Sequence, residues 1–189
     1  AGGDNSSTIR LNNFSPSAGL GYLLPNQLFI YTNYAYGFKT PTLNQLSNRP
    51  DGAEGFNDLR PQIANNYELG LKKTSGPWQA EGAIFYIRKK DYLIPYELAQ
   101  FPGRTFYRNV GETDRRGLET STSYFFNKLT LTASYTYSDF QYQNVVIDSL
   151  NLSGNALPGL PKHFANLLVA YDWQGLEAEV NLNYAGKLF

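Results

Sequence analysis

Along most of this chain apolar and polar side chains alternate one by one, and nowhere does a helical stripe persist. Between Leu129 and Tyr137, the residues Leu129, Leu131, Ala133, Tyr135 and Tyr137 fall on one side of an extended backbone, and Thr130, Thr132, Ser134 and Thr136 on the other. Period two is the signature of a strand with one apolar and one polar face. The stretch from Leu176 to Tyr184 repeats it, with Glu177, Glu179, Asn181 and Asn183 on the polar side. A face so continuously polar must look at water. The same test predicts about eight strands, near 14–24, 27–36, 65–73, 78–90, 106–126, 129–140, 163–173 and 176–185. Most have a length of about 9–12 residues, which crosses a bilayer when the strand is tilted.

The joints between these strands alternate in length. Short turns fall at 24–26, 74–77, 127–128 and 174–175, whereas long polar stretches cover 37–65, 91–105 and 141–162. Short on one side and long on the other is the layout of an outer-membrane barrel, with periplasmic turns below and extracellular loops above. The rival with equally regular alternation is a soluble β-sandwich or lectin-like fold. The aromatic residues favour the barrel. Trp78 and Trp173 sit beside short turns, while Tyr34, Tyr36, Tyr135, Tyr137 and Tyr184 sit at the long-loop ends of their strands, as two interfacial girdles require. The plainer account of the same rings is that aromatics favour strands in any sheet.

Strand polarity carries a further expectation. With short turns periplasmic, the first and eighth strands open and close on the extracellular side, which makes the chain an interior run of a larger barrel rather than a complete one. Phe189 is out of parity with the outward row Val180, Leu182 and Tyr184, so it is expected to open a loop and not to close a barrel.

Composition narrows the function. The 189 residues hold 15 Tyr and 12 Phe but only 2 Trp, 16 basic and 16 acidic side chains, one histidine, and neither cysteine nor methionine. Balanced charge argues against nucleic acid as a partner. Disulfides and cysteine metal sites are impossible, and no apolar run approaches the roughly 20 residues of a membrane helix. A catalytic triad would have to use His163, which follows the proline-rich Leu157-Pro-Gly-Leu-Pro-Lys162, and no nucleophile is arranged with it; the chain is read as no enzyme. Asp51, Glu54 and Asp58 form an acidic cluster without calcium-loop spacing, better read as a solvated loop. No cofactor or resident metal is implied.

Five phrases then resemble, in order, the C-terminal half of TonB-dependent receptor barrels. They are Tyr34-Ala-Tyr-Gly-Phe-Lys-Thr-Pro-Thr-Leu-Asn-Gln-Leu46; Leu59-Arg-Pro61 with Asn66-Tyr-Glu-Leu-Gly70; Phe85-Tyr-Ile-Arg-Lys-Lys-Asp-Tyr-Leu-Ile94; Tyr107-Arg-Asn-Val-Gly-Glu-Thr-Asp-Arg-Arg-Gly-Leu-Glu119; and Leu157-Pro-Gly-Leu-Pro-Lys-His163. Gln45 and Gln62 stand where that family usually has an acid, so a charged role there is not carried over. The resemblance implies an all-β antiparallel transmembrane segment, with residues 1–189 part of a plugged barrel of about 22 strands. It implies a receptor in the outer membrane of a Gram-negative bacterium that imports a ferric siderophore or similar ferric chelate. TonB would energise it through an upstream segment, and outer-membrane lipid would surround it. Passive porin-type channels and importers of glycans or cobalamin remain alternatives.

If the cargo is anionic, arginines and aromatic surfaces in the long loops are its natural ligands. Arg49, Arg60, Arg104 and Arg108, with Tyr92, Tyr96 and Tyr107, are the candidates. The plainer role for each is an exposed loop charge or a girdle tyrosine. On the strand that follows, Leu118, Thr120, Thr122 and Tyr124 are expected to face lipid and Glu119, Ser121 and Ser123 the lumen. Its upper part, bearing Glu112, Asp114 and Arg116, is too charged for lipid and should stand above it.

Overall fold

The computed structural model describes residues 8, 10, 12–53, 55–147 and 150–188. Phe189 and Glu54, and with them the loop-opening role and part of the acidic cluster, lie outside the described residues. One antiparallel sheet of eight strands, in the order β1-β2-β3-β4-β5-β6-β9-β10, accounts for most of the chain. Its strands are β1 (Ser17–Leu23), β2 (Leu28–Lys39), β3 (Gln62–Ser75), β4 (Trp78–Glu97), β5 (Thr105–Phe126), β6 (Leu129–Gln143), β9 (His163–Trp173) and β10 (Leu176–Ala185). The hairpin β7 (Val146–Ile147) and β8 (Leu150–Asn151) and the short helix α1 (Leu43–Ser47) belong to the loops.

One expectation needs correcting. The segment 91–105 is not a long loop: β4 and β5 continue as a paired ladder to Glu97 and Thr105, leaving a turn over 98–104. Charged residues there read as loop, but a strand standing in water above a bilayer tolerates charge, and Leu93 and Phe106 become buried in a local core. The loop 37–65 shrinks likewise, to 40–61, as β2 and β3 extend. Within it Thr42 and Gln45 cap α1 reciprocally: the Gln45 amide donates to Thr42 Oγ1 at 3.4 Å, and the Thr42 amide donates to Gln45 Oε1 at 2.9 Å.

Register sorts the two faces. Leu20, Thr32, Leu69, Ile84 and Leu118 lie in one cross-strand row, and Tyr22, Ile30, Leu71, Gly82 and Thr120 in the next, so the outward face is a continuous apolar surface. Its threonines do not offend lipid. The hydroxyls of Thr32, Thr120 and Thr122 donate to the carbonyls of Glu68, Glu81 and Gln79 at 3.0, 3.0 and 3.2 Å, which satisfies them without water.

Two aromatic belts bound this surface. The lower one holds Trp78 against Tyr124, with ring centroids 4.4 Å apart, together with Phe126, Tyr171 and Trp173; the upper one holds Tyr34, Tyr67 and Tyr86, then Tyr135, Tyr137 and Tyr184. Across the sheet both belts step down in register. Trp78 shares a row with Tyr124, Leu131 and Val169, yet the belt on β9 is reached only at Trp173, four positions beyond Val169. That stagger is what strands tilted to the barrel axis demand.

Above the upper belt the outward face turns ionic. Arg88 pairs with Glu112 at 2.5 Å, Lys90 with the same carboxylate at 3.4 Å, and Tyr86 Oη donates to Asp114 Oδ1 at 2.8 Å. Asp139, only 8% exposed, takes Arg116 at 2.8 Å and Lys162 at 3.3 Å. Burial by itself would raise the Asp139 carboxyl, but hydrogen bonds from Arg116, Lys162 and Gln141 outweigh it and hold the group below the usual carboxylate value. A depressed carboxyl stabilises the fold above its unfolded value near about 3.9 and loses that contribution as pH falls through the folded value. The unfolding temperature of the refolded protein is therefore expected to drop between about pH 5 and pH 2, and Asp139→Asn should flatten part of that drop. An unchanged pH profile in Asp139→Asn would remove Asp139 from the account.

The inward face is polar and is shaped by glycine. Lys72 meets Glu81 at 3.2 Å, and the Asn166 side-chain amide donates to Asn181 and Asn183 at 2.6 and 2.8 Å. The ring of Tyr31 lies where a β-carbon on Gly70 would be, and Phe85 lies over Gly117 in the same way.

Candidate functional site

The upper rim is organised by loop 40–61 docking on the β4-β5 hairpin. Leu46, Leu59 and Leu93 form a small buried cluster, with Phe56 and Tyr107 packed against it. Polar staples surround that cluster. Asn48 Nδ2 donates to the Thr105 carbonyl, and Arg104 Nε donates to Asn48 Oδ1 at 2.6 Å. Asn57 Nδ2 donates to the Tyr107 carbonyl at 3.2 Å. Asn109 accepts from the Arg60 amide at 2.8 Å and donates to the carbonyls of Arg60 and Asp91 at 2.9 Å each. Five backbone groups and one side-chain donor are thus satisfied by three asparagines.

Several of the sequence candidates belong to this scaffold. Arg60 pairs with Asp91 at 2.6 Å, while Arg49 forks onto Asp51 and donates to the Phe56 carbonyl at 3.3 Å. Hydrogen bonding from Arg49, then from the Ala53 amide, holds the Asp51 carboxyl well below the usual range. The Arg104 guanidinium lies 5.3 Å from the Phe106 ring and 5.9 Å from that of Phe101. Tyr107 packs on the buried leucines. These four side chains orient the rim.

Tyr92, Tyr96 and Arg108 occupy a different position. Opposite each other in the ladder, Asp91 and Gly111 both adopt positive φ, +53° and +27°, and the regular pairing skips them. A paired kink of this kind reverses which face each later residue takes. Past it Tyr92 turns inward, beside Arg115 and Tyr142, and the Arg108 guanidinium stacks 4.8 Å from the Tyr96 ring. Strict parity counted through the kink would place Tyr92 on the outer side, with Lys90.

Below the kink, the inner wall gathers cations that were not among the candidates. Lys39 on β2, Lys89 on β4 and Arg115 on β5 lie on the inward face, with Lys89 within electrostatic reach of both Lys39 and Arg115. Among the described residues none of the three forms an ion pair with a carboxylate. Burial, reinforced by Arg115 and Lys39, pushes the Lys89 ammonium below its ordinary value, and burial lowers Arg115 as well. Arg115 stacks 5.5 Å from the Phe140 ring, and its Nε is buried without a hydrogen-bond acceptor. Clustered, partly buried cations, with a donor that meets no acceptor among the described residues, are electrostatically short of an anion. Upward extension of the parity of Glu119 and Ser121 would have placed Arg115 inside; the meeting with Lys39 and Lys89 needed the register.

The whole of residues 1–189 matches the family model described as "TonB dependent receptor-like, beta-barrel". The chain belongs to that family. It is similar to the ferrioxamine B receptor of Salmonella typhimurium, 28% identical over 172 residues that cover 89% of this chain and 22% of that protein. It is also similar to the vitamin B12 transporter BtuB of Photobacterium profundum, 31% identical over 123 residues, 62% of this chain and 19% of that protein. The chain therefore spans about a fifth of the length of the curated relatives it matches. Among solved structures, the siderophore receptor PirA from Acinetobacter baumannii superposes with a TM-score of 0.73 at 20% identity, over 93% of this chain and 29% of that one. The family is one of outer-membrane transport receptors and not of enzymes. The sheet is thus bounded at one end by the belt of Trp78 and Trp173 and at the other by the rim built on Asn48, Asn57 and Asn109.

Proposed function

We propose that the chain forms part of the wall and mouth of a closed barrel of about 22 strands. Filled by a plug and energised through TonB, that barrel imports an anionic ferric chelate. The observation that carries the cargo class is the carboxylate-free cluster of Lys39, Lys89 and Arg115 on the inner wall. Tyr92, Tyr142 and Phe140 flank it, so it offers charge and flat apolar surface together, as a metal chelate with aromatic or carboxylate arms requires. Tyr92, Tyr96 and Arg108 continue the same surface upward. Arg49, Arg60, Arg104 and Tyr107 act by holding the loop that frames it.

The test is iron uptake by the full-length protein in cells stripped of other receptors. Uptake of ferric citrate or ferric tricatecholates is expected to need TonB and to exceed that of neutral ferric trihydroxamates. Charge-assisted hydrogen bonds contribute about 1.5–3 kcal/mol each, so Lys89→Gln and Arg115→Gln should each weaken chelate binding about tenfold or more at unchanged receptor level. TonB-independent uptake would sink the transport reading. Unaltered affinity in both variants would sink the assigned site alone.

A further inference from the structure

Thr113 is wholly buried, yet its hydroxyl meets no hydrogen-bond partner among the described residues. A hydroxyl rotates to any acceptor within reach, so one left unpaired marks a place where the chain supplies none. Thr113 stands on the inward face between Lys89 and Tyr142, its ladder neighbours on β4 and β6. Two residues further along β5, on the same face, is Arg115, whose buried Nε also lacks an acceptor. Two unpaired donors and the Lys89 ammonium thus crowd one stretch of wall, and no described carboxylate pairs with either cation.

The shape of that gap selects among anionic chelates. In a ferric tricatecholate every phenolic oxygen is bound to the metal, and the complex presents the edges of flat rings to a wall. Such rings stack on Phe140 or Tyr142 but do not reach a hydroxyl with no exposed surface. An uncoordinated carboxylate on a flexible arm does reach it. That group is acceptor-only and a few atoms across, and it enters where the flexible Lys89 stem gives way. We propose, resting on the anionic-cargo reading above, that Thr113 is the specificity-determining residue of this wall: its hydroxyl and Arg115 Nε donate to one free carboxylate of a ferric polycarboxylate, so that chelates of this class are the cargo. A chelate without the arm leaves both donors unpaired and forgoes two charge-assisted hydrogen bonds.

Full-length protein in detergent is titrated with ferric citrate and with the tricatecholate ferric enterobactin, and its unfolding temperature is followed without ligand. The wild type is expected to bind ferric citrate more tightly. Thr113→Val keeps the shape and removes the hydroxyl, so ferric citrate binding should weaken about tenfold or more while ferric enterobactin binding shifts less than about twofold. Thr113→Ser keeps a hydroxyl and should retain the preference. Without ligand, Thr113→Val should unfold no lower than the wild type, because it replaces a buried unpaired hydroxyl with a methyl group. A threonine with a structural role alone would give the opposite pair of results, lower stability and unaltered ferric citrate binding, and that outcome overturns the proposal. Wild-type affinity for ferric enterobactin equal to or above that for ferric citrate overturns the carboxylate assignment and leaves the anionic-cargo reading standing. So does a Thr113→Val loss that strikes both chelates alike. Binding of neither chelate removes that reading and the assignment together.

Discussion

Gly117→Val is expected to prevent assembly of the β-sheet wall, leaving protein without the heat-resistant, fast-migrating form that folded barrels show in gel electrophoresis. Gly117 sits in β5, between β4 and β6, so neither neighbour can move aside without breaking a ladder. A β-carbon there falls inside contact distance of the Tyr137 carbonyl oxygen and of the Phe85 ring. The ring could turn; the carbonyl belongs to the backbone of β6. Overpacking against backbone costs about 3 kcal/mol or more, and a half-assembled barrel in lipid leaves further backbone groups unsatisfied. The contrast is Gly37, where a β-carbon meets nothing within 4 Å, so Gly37→Ala should assemble at wild-type yield. Removing the ring with Phe85→Ala should rescue Gly117→Ala only in part, because the carbonyl remains. Full rescue would show that the ring alone sets the glycine requirement.

Leu71→Arg should be the most damaging change on the outer face. Leu71 shares its row with Ile30, Gly82 and Thr120, about midway between the belts. An arginine at the bilayer midplane of a barrel costs about 2–4 kcal/mol. One residue further, Lys72 already carries a charge on the inner face and pairs with Glu81 in an exposed setting, so Lys72→Gln should cost less than about 1 kcal/mol. Urea unfolding of the refolded protein in lipid vesicles measures both. Equal destabilisation would mean that adjacent residues do not face lipid and lumen in turn, and the membrane assignment of the face would fall.

These two substitutions mark where the chain was legible. The shared face of Leu118, Thr120, Thr122 and Tyr124 followed from counting by two, and the register sets each beside its partners on that face, one row after another. The girdles were legible too, because Trp and Tyr advertise an interface wherever they recur at strand ends. Loop chemistry was less so. Arg49 and Arg60 looked alike as loop arginines, yet each is tied to an aspartate: Arg49 to Asp51 inside loop 40–61, and Arg60 to Asp91, which fastens that loop to its hairpin. Nothing in the spacing of Arg60 and Asp91 announces that they meet.

The division has a physical basis. Side-chain direction in a strand depends only on the local backbone, so the sequence by itself determined the strands, the lipid and lumen faces, the belts and the short turns. Which residues stand side by side depends on register, on the reversal at Asp91 and Gly111, and on how the loops fold back. Those are long-range outcomes settled by pairing across the whole sheet. The tertiary structure alone therefore decided the reach of β4 and β5 above the membrane, the ionic network around Asp139, and the meeting of Lys39, Lys89 and Arg115.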